Sequence, residues 1–178
     1  MAEKILLNSA DIENIVSENA QKIYHDLLDR DNFALVGVQT RGVELARRLQ
    51  NRIEELSGKK VKNGILDITF YRDDLATRGM LPSIKETRIE FDIARMTIVL
   101  VDDVIFTGRT TKAALETITA FGRPGAIKLF ALIDRGNREL PIQPDYCGYK
   151  ITTKVTDAIK VQLREIDGVE DSVVLVEQ

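Results

Sequence analysis

Apolar positions along the chain follow two rhythms. Asn8 and Ser9 carry side chains suited to capping a helix, and Ile12, Ile15, Val16, Ile23 and Leu27 then recur at helical spacing. A first helix is predicted to about Asp29. Val43, Ala46, Leu49 and Ile53 share one face of a second helix over Gly42–Leu56, and a third is predicted over Arg109–Ala120. Between these lie short, unbroken apolar runs. Phe33–Val38 (FALVGV), Thr97–Val101 and Ile127–Ile133 (IKLFALI) read as buried strands, and Gly64–Asp74 holds another, rich in β-branched and aromatic types. The tail adds strands at Ile159–Leu163 and Ser172–Val176. Strands buried on both faces and alternating with helices predict an α/β fold, a mainly parallel sheet flanked by helices.

Two segments break the rhythm. Asp73–Asp92 is polar, contains Gly79 and Pro82, and is too long for a simple connection. It reads as a lid, with a surface hairpin as the alternative. Arg135–Tyr149 carries Gly136, Pro141, Pro144 and Gly148 and reads as loop-like, part of a small appended subdomain.

Composition narrows the class. With 178 residues and 44% hydrophobic content the chain suits one domain, 1–178, with its own core. A net charge of -3 argues against indiscriminate coating of nucleic acid, while leaving room for one local basic face. The single Cys147 excludes an intramolecular disulfide and a cysteine-cluster zinc site. With one histidine beside it, soft-metal chemistry is not expected. The N-terminal stretch has no apolar run long enough for a signal peptide or membrane span, so a soluble cytoplasmic protein is expected.

The candidate chemistry is concentrated in IVLVDDVIFTGRTTKAAL, Ile98–Leu115. Ligands of open parallel sheets bind beyond the carboxyl ends of the strands, and the doubled aspartate Asp102–Asp103 falls at such an end. Thr107-Gly108-Arg109-Thr110 then opens a helix, whose free amides and positive end suit a phosphate. The hydroxyls of Thr107, Thr110 and Thr111 add donors. The carboxylates repel an anion and favour hydroxyls, a cation or developing positive charge, so a sugar phosphate satisfies both halves. An aspartate pair alone is also how magnesium is bound in phosphatases and response regulators. Neither G-x-x-x-x-G-K-[ST] nor a G-x-G-x-x-G after the first strand occurs, which disfavours a P-loop kinase and a dinucleotide fold. A second strand-to-helix corner, Thr40-Arg41-Gly42 in VGVQTRGVELA, offers amides and a guanidinium to another anion.

The full stretch VLVDDVIFTGRTT resembles the phosphoribosyl pyrophosphate signature of type I phosphoribosyltransferases. The resemblance implies that family's fold, with a hood over about 135–178 and the N-terminal segment, and a flexible loop over about 73–92. It implies that Asp102 and Asp103 engage the ribose hydroxyls. Val104, Ile105, Phe106, Thr107, Gly108, Arg109 and Thr110 would wrap the 5'-phosphate, and Thr40, Arg41 and Gly42 would take the pyrophosphate. Asp102, Asp103 and Arg41 would be the catalytic residues. Magnesium would arrive on the pyrophosphate, with no direct protein ligands.

LDITFYRDDL, LIDRGNRELPIQPDYCG and VQLREIDG extend the match to the bifunctional pyrimidine operon regulators with uracil phosphoribosyltransferase activity. That resemblance implies uracil near Arg135 and Ile159 and UMP as product; Arg78 and Lys85 in the loop over 73–92 read as contacts to phosphate oxygens or, alternatively, as solvated charges. It also implies assembly as a homodimer or higher oligomer, and contacts from Lys22, His25 and Arg138 to a leader messenger RNA. His25 lies about 200 degrees around the first helix from Ile23, so it is expected to be exposed and not catalytic. Three positions depart from the pattern: Gln143 and Tyr149 stand where basic residues are expected, and Gln21 replaces a small hydroxyl residue. Losing two cations weakens binding built on phosphate contacts. Three readings stay open: a uracil phosphoribosyltransferase, an RNA regulator that keeps the pocket as a sensor, and a phosphoribosyltransferase for another base.

Overall fold

A computed structural model describes residues 2–27, 32–68 and 86–178. Within them the order is β1 (Ala2–Leu7), α1 (Ser9–Leu27), β2 (Phe33–Val38), α2 (Arg41–Ser57), β3 (Lys62–Leu66), β4 (Thr97–Ile105), α3 (Arg109–Thr119), β5 (Ala126–Asp134), β6 (Tyr146–Lys150), β7 (Ala158–Gln162), α4 (Arg164–Asp167) and β8 (Ser172–Glu177). Five strands form a sheet of order β3-β2-β4-β5-β6 in which every neighbouring pair is parallel. The mainly parallel α/β sheet expected from the alternation is therefore present.

Each face of the sheet has its own core. On one side Ile12, Val16, Ala20 and Ile23 of α1 and Leu45, Leu49 and Ile53 of α2 pack with Val99, Val101, Phe130 and Leu132. On the other, Ala113, Ala114 and Ile118 of α3 pack with Ile98, Leu100, Leu129 and Ala131. Alternating strand residues serve opposite faces, which is why these strands read as unbroken apolar runs. α1 begins with a reciprocal cap: Asn8 Oδ1 accepts the Asp11 amide at 3.0 Å, and Asp11 Oδ2 accepts the Asn8 amide at 2.9 Å.

A second sheet, β1-β8-β7, is antiparallel and joins the two ends of the sequence, with Ala2 opposite Glu177. Its Leu7, Val161 and Val173 share the core of α1 and α2.

Three expectations are corrected. Thr97–Val101 was too short a strand: β4 continues through Asp102 and Asp103 to Ile105, so the doubled aspartate lies inside it. Arg135–Tyr149 is not loop throughout, because β6 starts at Tyr146 and pairs with β5. Gly148 is there for close approach, since a β-carbon would lie 2.5 Å from the Leu132 carbonyl oxygen and 2.6 Å from Ile15 Cγ2. The strand within Gly64–Asp74 starts earlier and ends earlier, at Lys62–Leu66.

Of the segment 73–92, expected to be a lid, residues 73–85, with Arg78 and Lys85, lie outside the described residues. Residues 86–92 run beside β3: Arg88 and Ile65 exchange two backbone hydrogen bonds of 2.8 Å, and Thr87 Oγ1 accepts the Asp67 amide at 3.0 Å. None of the described helices is long and apolar enough to cross a membrane.

Candidate active site

The strand order reverses at β2 and β4. From β2 the chain crosses outward to β3, then returns to β4 on the other side of β2 and proceeds to β5 and β6. Such a reversal leaves a crevice beyond the strand ends. The segments leaving β2 and β4 there are the Thr40–Gly42 corner and the Phe106–Gly108 loop that opens α3, with Asp102 and Asp103 in the last residues of β4 just before it.

These two segments are pressed together. Gly37 pairs with Val101 across the ladder, and a β-carbon on Gly37 would lie 2.7 Å from the Val43 amide nitrogen. Gly42 opens α2 directly over β4, where a β-carbon would lie 3.2 Å from the Val101 carbonyl carbon and 3.3 Å from Asp102 Cα. The paired glycines let the α2 N-terminus approach the carboxylates. The Gln39–Thr40 peptide is cis. Arg41 is not a free surface arginine: Nη2 pairs with Asp167 Oδ1 of α4 at 2.6 Å, and its buried Nε has no partner among the described residues. Asp167 Oδ2 in turn accepts the Leu163 amide at 2.8 Å.

Asp102 is buried, at 7% exposure, and Asp103 is half-buried. Oδ1 of Asp102 accepts the Asp103 amide at 3.0 Å, and Oδ1 of Asp103 accepts the Val104 amide at 2.9 Å. Both carboxylates are thereby oriented by their own strand. Oδ2 of Asp103 makes no bond among the described residues.

Val104–Gly108, Thr110 and Thr111 line a cavity of about 80 Å³. Gly108 has φ 92 and caps α3, a left-handed conformation that favours glycine. Its carbonyl accepts the Lys112 amide at 2.9 Å, and Thr107 Oγ1 accepts the Arg109 amide at 3.3 Å. Arg109 itself is exposed and pairs with Glu139 at 2.6 Å.

Arg135 follows β5 and is 6% exposed. Nε donates to Thr153 Oγ1 at 3.0 Å, while Nη2 donates to the carbonyls of Lys154 at 2.9 Å and Asp157 at 2.8 Å. Its guanidinium carbon stands 4.0 Å from the Phe106 ring centroid. Burial pulls the guanidinium below its ordinary pKa, opposed by the Asp157 charge. The side chain expected near uracil thus grips the 153–157 segment and stacks on Phe106. Ile159 is half-buried against the core shared by α1 and α2.

Lys22 and His25 are exposed on α1, as the helical pattern of His25 predicts. Arg138 does not join them as a surface cation, because its side chain is 12% exposed and ion-paired with Asp134 at 2.8 Å. The residues missed from sequence are these internal partners, Asp134, Thr153, Asp157 and Asp167. The roles of Thr153, Asp157 and Asp167 rest on partners distant in the sequence, so no local pattern singles them out. Cys147 sits in β6, where burial raises the thiol pKa, which disfavours a nucleophilic thiolate at neutral pH.

The comparisons with known proteins agree with this architecture. The phosphoribosyl transferase domain matches residues 3–165. The chain is 49% identical to the bifunctional protein PyrR of Caldicellulosiruptor bescii over 161 residues, 88% of this chain and 87% of that one. It is 45% identical to the bifunctional protein PyrR of a Roseiflexus species over 180 residues, covering 99% and 96%. Among solved structures it is similar to the hypoxanthine phosphoribosyltransferase of Trypanosoma cruzi, with a TM-score of 0.75 at 17% identity over 99% of this chain and 97% of that one. An identity that low speaks for the fold alone.

Proposed function

The chain belongs to the phosphoribosyl transferase family, and from that membership we propose that it moves the phosphoribosyl group of phosphoribosyl pyrophosphate onto uracil. The products are UMP and pyrophosphate, and the enzyme works in the cytoplasm. One observation carries the reading: at the crevice where the strand order reverses, oriented Asp102 and Asp103 lie between a glycine-opened phosphate loop and a second helix N-terminus.

The residues divide the donor among them. Amides and hydroxyls of Phe106–Thr111 hold the 5'-phosphate, and Asp102 and Asp103 hold the ribose hydroxyls. Loss of pyrophosphate leaves oxocarbenium character at the anomeric carbon, which nearby fixed carboxylates stabilise without a covalent bond. Arg41 and the amides of the Thr40–Gly42 corner receive the pyrophosphate, which competes with Asp167 for the guanidinium.

Magnesium fits such a site as a cation carried by the donor. The carboxylates of Asp102 and Asp103 are hard oxygen acceptors that its retained waters would meet, with no direct protein ligand. When bound, it neutralises charge on the departing pyrophosphate.

Uracil as acceptor is supported by similarity over most of the chain to proteins named PyrR and by the DRGNRELP block. The base would sit between Arg135 and Ile159 under the β1-β8-β7 sheet. The same relatives are named bifunctional, which supports a second role as a uridine-nucleotide-dependent RNA-binding regulator of pyrimidine genes. Its exposed contacts would be Lys22 and His25.

A panel of uracil, orotate, hypoxanthine and guanine with radiolabelled phosphoribosyl pyrophosphate and magnesium tests the reading. UMP is the expected product, and Asp103→Asn should lower kcat by at least about 100-fold. Turnover of orotate or a purine instead would reassign the acceptor. Silence with all four bases, together with a UMP-strengthened shift of leader RNA, would leave only the regulator.

A further inference from the structure

The phosphate loop is held from behind, and its carbonyls are taken one after another by the segment that follows β5. Ile105 O accepts the Arg135 amide at 3.1 Å, Phe106 O accepts Arg138 Nη1 at 2.8 Å, and Thr107 O accepts the amides of Glu139 at 2.9 Å and Leu140 at 3.2 Å. In a trans peptide the carbonyl and the next N–H lie on opposite edges of one plane. Fixing the carbonyls of 105, 106 and 107 therefore turns the amides of 106, 107 and 108 away from that segment. A loop that binds an anion needs this arrangement, because a carbonyl oxygen facing a phosphate would repel it.

Of these anchors, three come from the backbone and one from a side chain. Arg138 engages each nitrogen of its guanidinium. Nε donates to Ile142 O at 2.8 Å, Nη1 to Phe106 O at 2.8 Å and Gly136 O at 3.3 Å, and Nη2 to Gln143 Oε1 at 3.3 Å while pairing with Asp134 Oδ2 at 2.8 Å. Asp134 is set in turn by the Gly136 amide on Oδ1 at 3.0 Å. Gln143, which departs from the expected arginine, supplies an acceptor where an arginine would supply only a competing donor. Leu140 and Ile142 close against Gly108, so the strut and the loop form one packed unit.

The geometry points to Arg138 as a positioning residue for the donor's 5'-phosphate. It acts through the Phe106 carbonyl, with Gln143 holding it inward, and does not touch substrate. This rests on the phosphoribosyltransferase reading for the identity of the anion.

The test is calorimetric titration of ribose 5-phosphate into wild type, Arg138→Met and Gln143→Ala, alongside steady-state kinetics. Arg138→Met keeps the stem and removes the donors. Affinity should fall roughly tenfold for Arg138→Met and less for Gln143→Ala, and the KM for phosphoribosyl pyrophosphate should rise while the KM for the base holds. Free guanidinium should restore part of the affinity in Arg138→Ala. Equal ribose 5-phosphate affinity in wild type and Arg138→Met overturns the proposal, as does a loss confined to leader RNA, which would make Arg138 a surface contact. If Arg138→Met does not fold, Gln143→Ala decides alone: unchanged affinity overturns, a drop with unchanged Tm supports. Ribose 5-phosphate binding that depends on Arg138 in a protein inactive with every base would uphold the strut and overturn the enzyme reading. A wild type that does not bind ribose 5-phosphate overturns both.

Discussion

Gly42 lies so close to Val101 that no side chain fits between them: a β-carbon would stand 3.2 Å from the Val101 carbonyl carbon, with the carbonyl oxygen closer still. An alanine in a helix normally gains up to about 1 kcal/mol over glycine. Here overpacking, at about 1–3 kcal/mol, outweighs that gain. Gly42→Ala is expected to lower Tm and, by lifting the Thr40–Gly42 corner from Asp102, to lower kcat/KM by more than the fraction unfolded explains. Thermal melts and initial rates on the same samples check this; a variant with higher Tm and full activity would refute the close-approach argument.

Arg135 should separate base from donor in the opposite sense to Arg138. Removing its guanidinium in Arg135→Met leaves the Lys154 and Asp157 carbonyls and the Thr153 hydroxyl without their donor. Stability should fall by about 3 kcal/mol. The KM for uracil should rise at least several-fold while the affinity for ribose 5-phosphate changes less. Urea melts and a two-substrate kinetic grid are the measurements, and equal losses for both substrates would count against it.

The acid limit of stability should trace to Arg48. This arginine pairs with Glu44 at 3.1 Å, with Glu165 at 2.6 Å and with Asp171, fastening α2 to α4 and β8. Burial pushes the Asp171 carboxyl up, but the Arg48 guanidinium and the Arg164 amide outweigh it and hold it below its ordinary 3.8. Glu165 is likewise held below 4.5 against burial, chiefly by Arg48. A carboxylate with a depressed folded-state pKa contributes stability above its unfolded value and loses it as pH falls through the folded one. Tm should therefore be level from neutral pH to about 4.5 and decline below that. Glu165 is exposed enough for solvent to screen much of its share. Arg48→Met, which leaves half-buried Asp171 without its cation, should lose about 1–3 kcal/mol at pH 7 and show a shallower acid decline. Calorimetry across pH decides, and a variant with the wild-type acid slope would exclude Arg48 as its source.

Lys22 offers the cleanest separation of the two proposed roles. It is exposed on α1, away from the packed face. Lys22→Ala should leave UMP formation at the wild-type rate while weakening leader RNA binding. The slope of log affinity against log salt should fall by about 1 if one phosphate contact is lost. An unchanged slope would remove this helix face from the RNA interface.

Legibility in the sequence tracked how local each determinant is. β2 was readable to the residue, because Phe33–Val38 is an unbroken apolar run closed by polar neighbours. The motif that begins in the last residues of β4 was readable because its carboxylates, glycine and threonines lie within ten residues of one another. Arg138 was not, because a basic residue beside Glu139 looks like a solvated charge, and its partners Phe106 and Gln143 come together only when the post-β5 segment folds back on the loop. The DRGNRELP block carries the resemblance to the family, and what its sequence did not reveal is that its main chain and Arg138 also hold the carbonyls of Ile105, Phe106 and Thr107. β6 was hidden by Gly148 and two prolines, whose punctuation suggested loop. β1 carried too little pattern in AEKILL to be read without its distant partner.

The pairing of Ala2 with Glu177 has a consequence for how the protein is made. Synthesis proceeds from the N-terminus at about 5–20 residues per second, so the first strand emerges long before β8, its only partner in the sheet. Until then its apolar residues, Ile5 and Leu7 among them, have no ladder to join. The parallel sheet can assemble while the chain is still being extended, but the β1-β8-β7 sheet closes last. A nascent chain stalled before β8 would carry the Asp102–Thr110 stretch on a folded parallel sheet while β1 and β7 still lacked the strand that joins them.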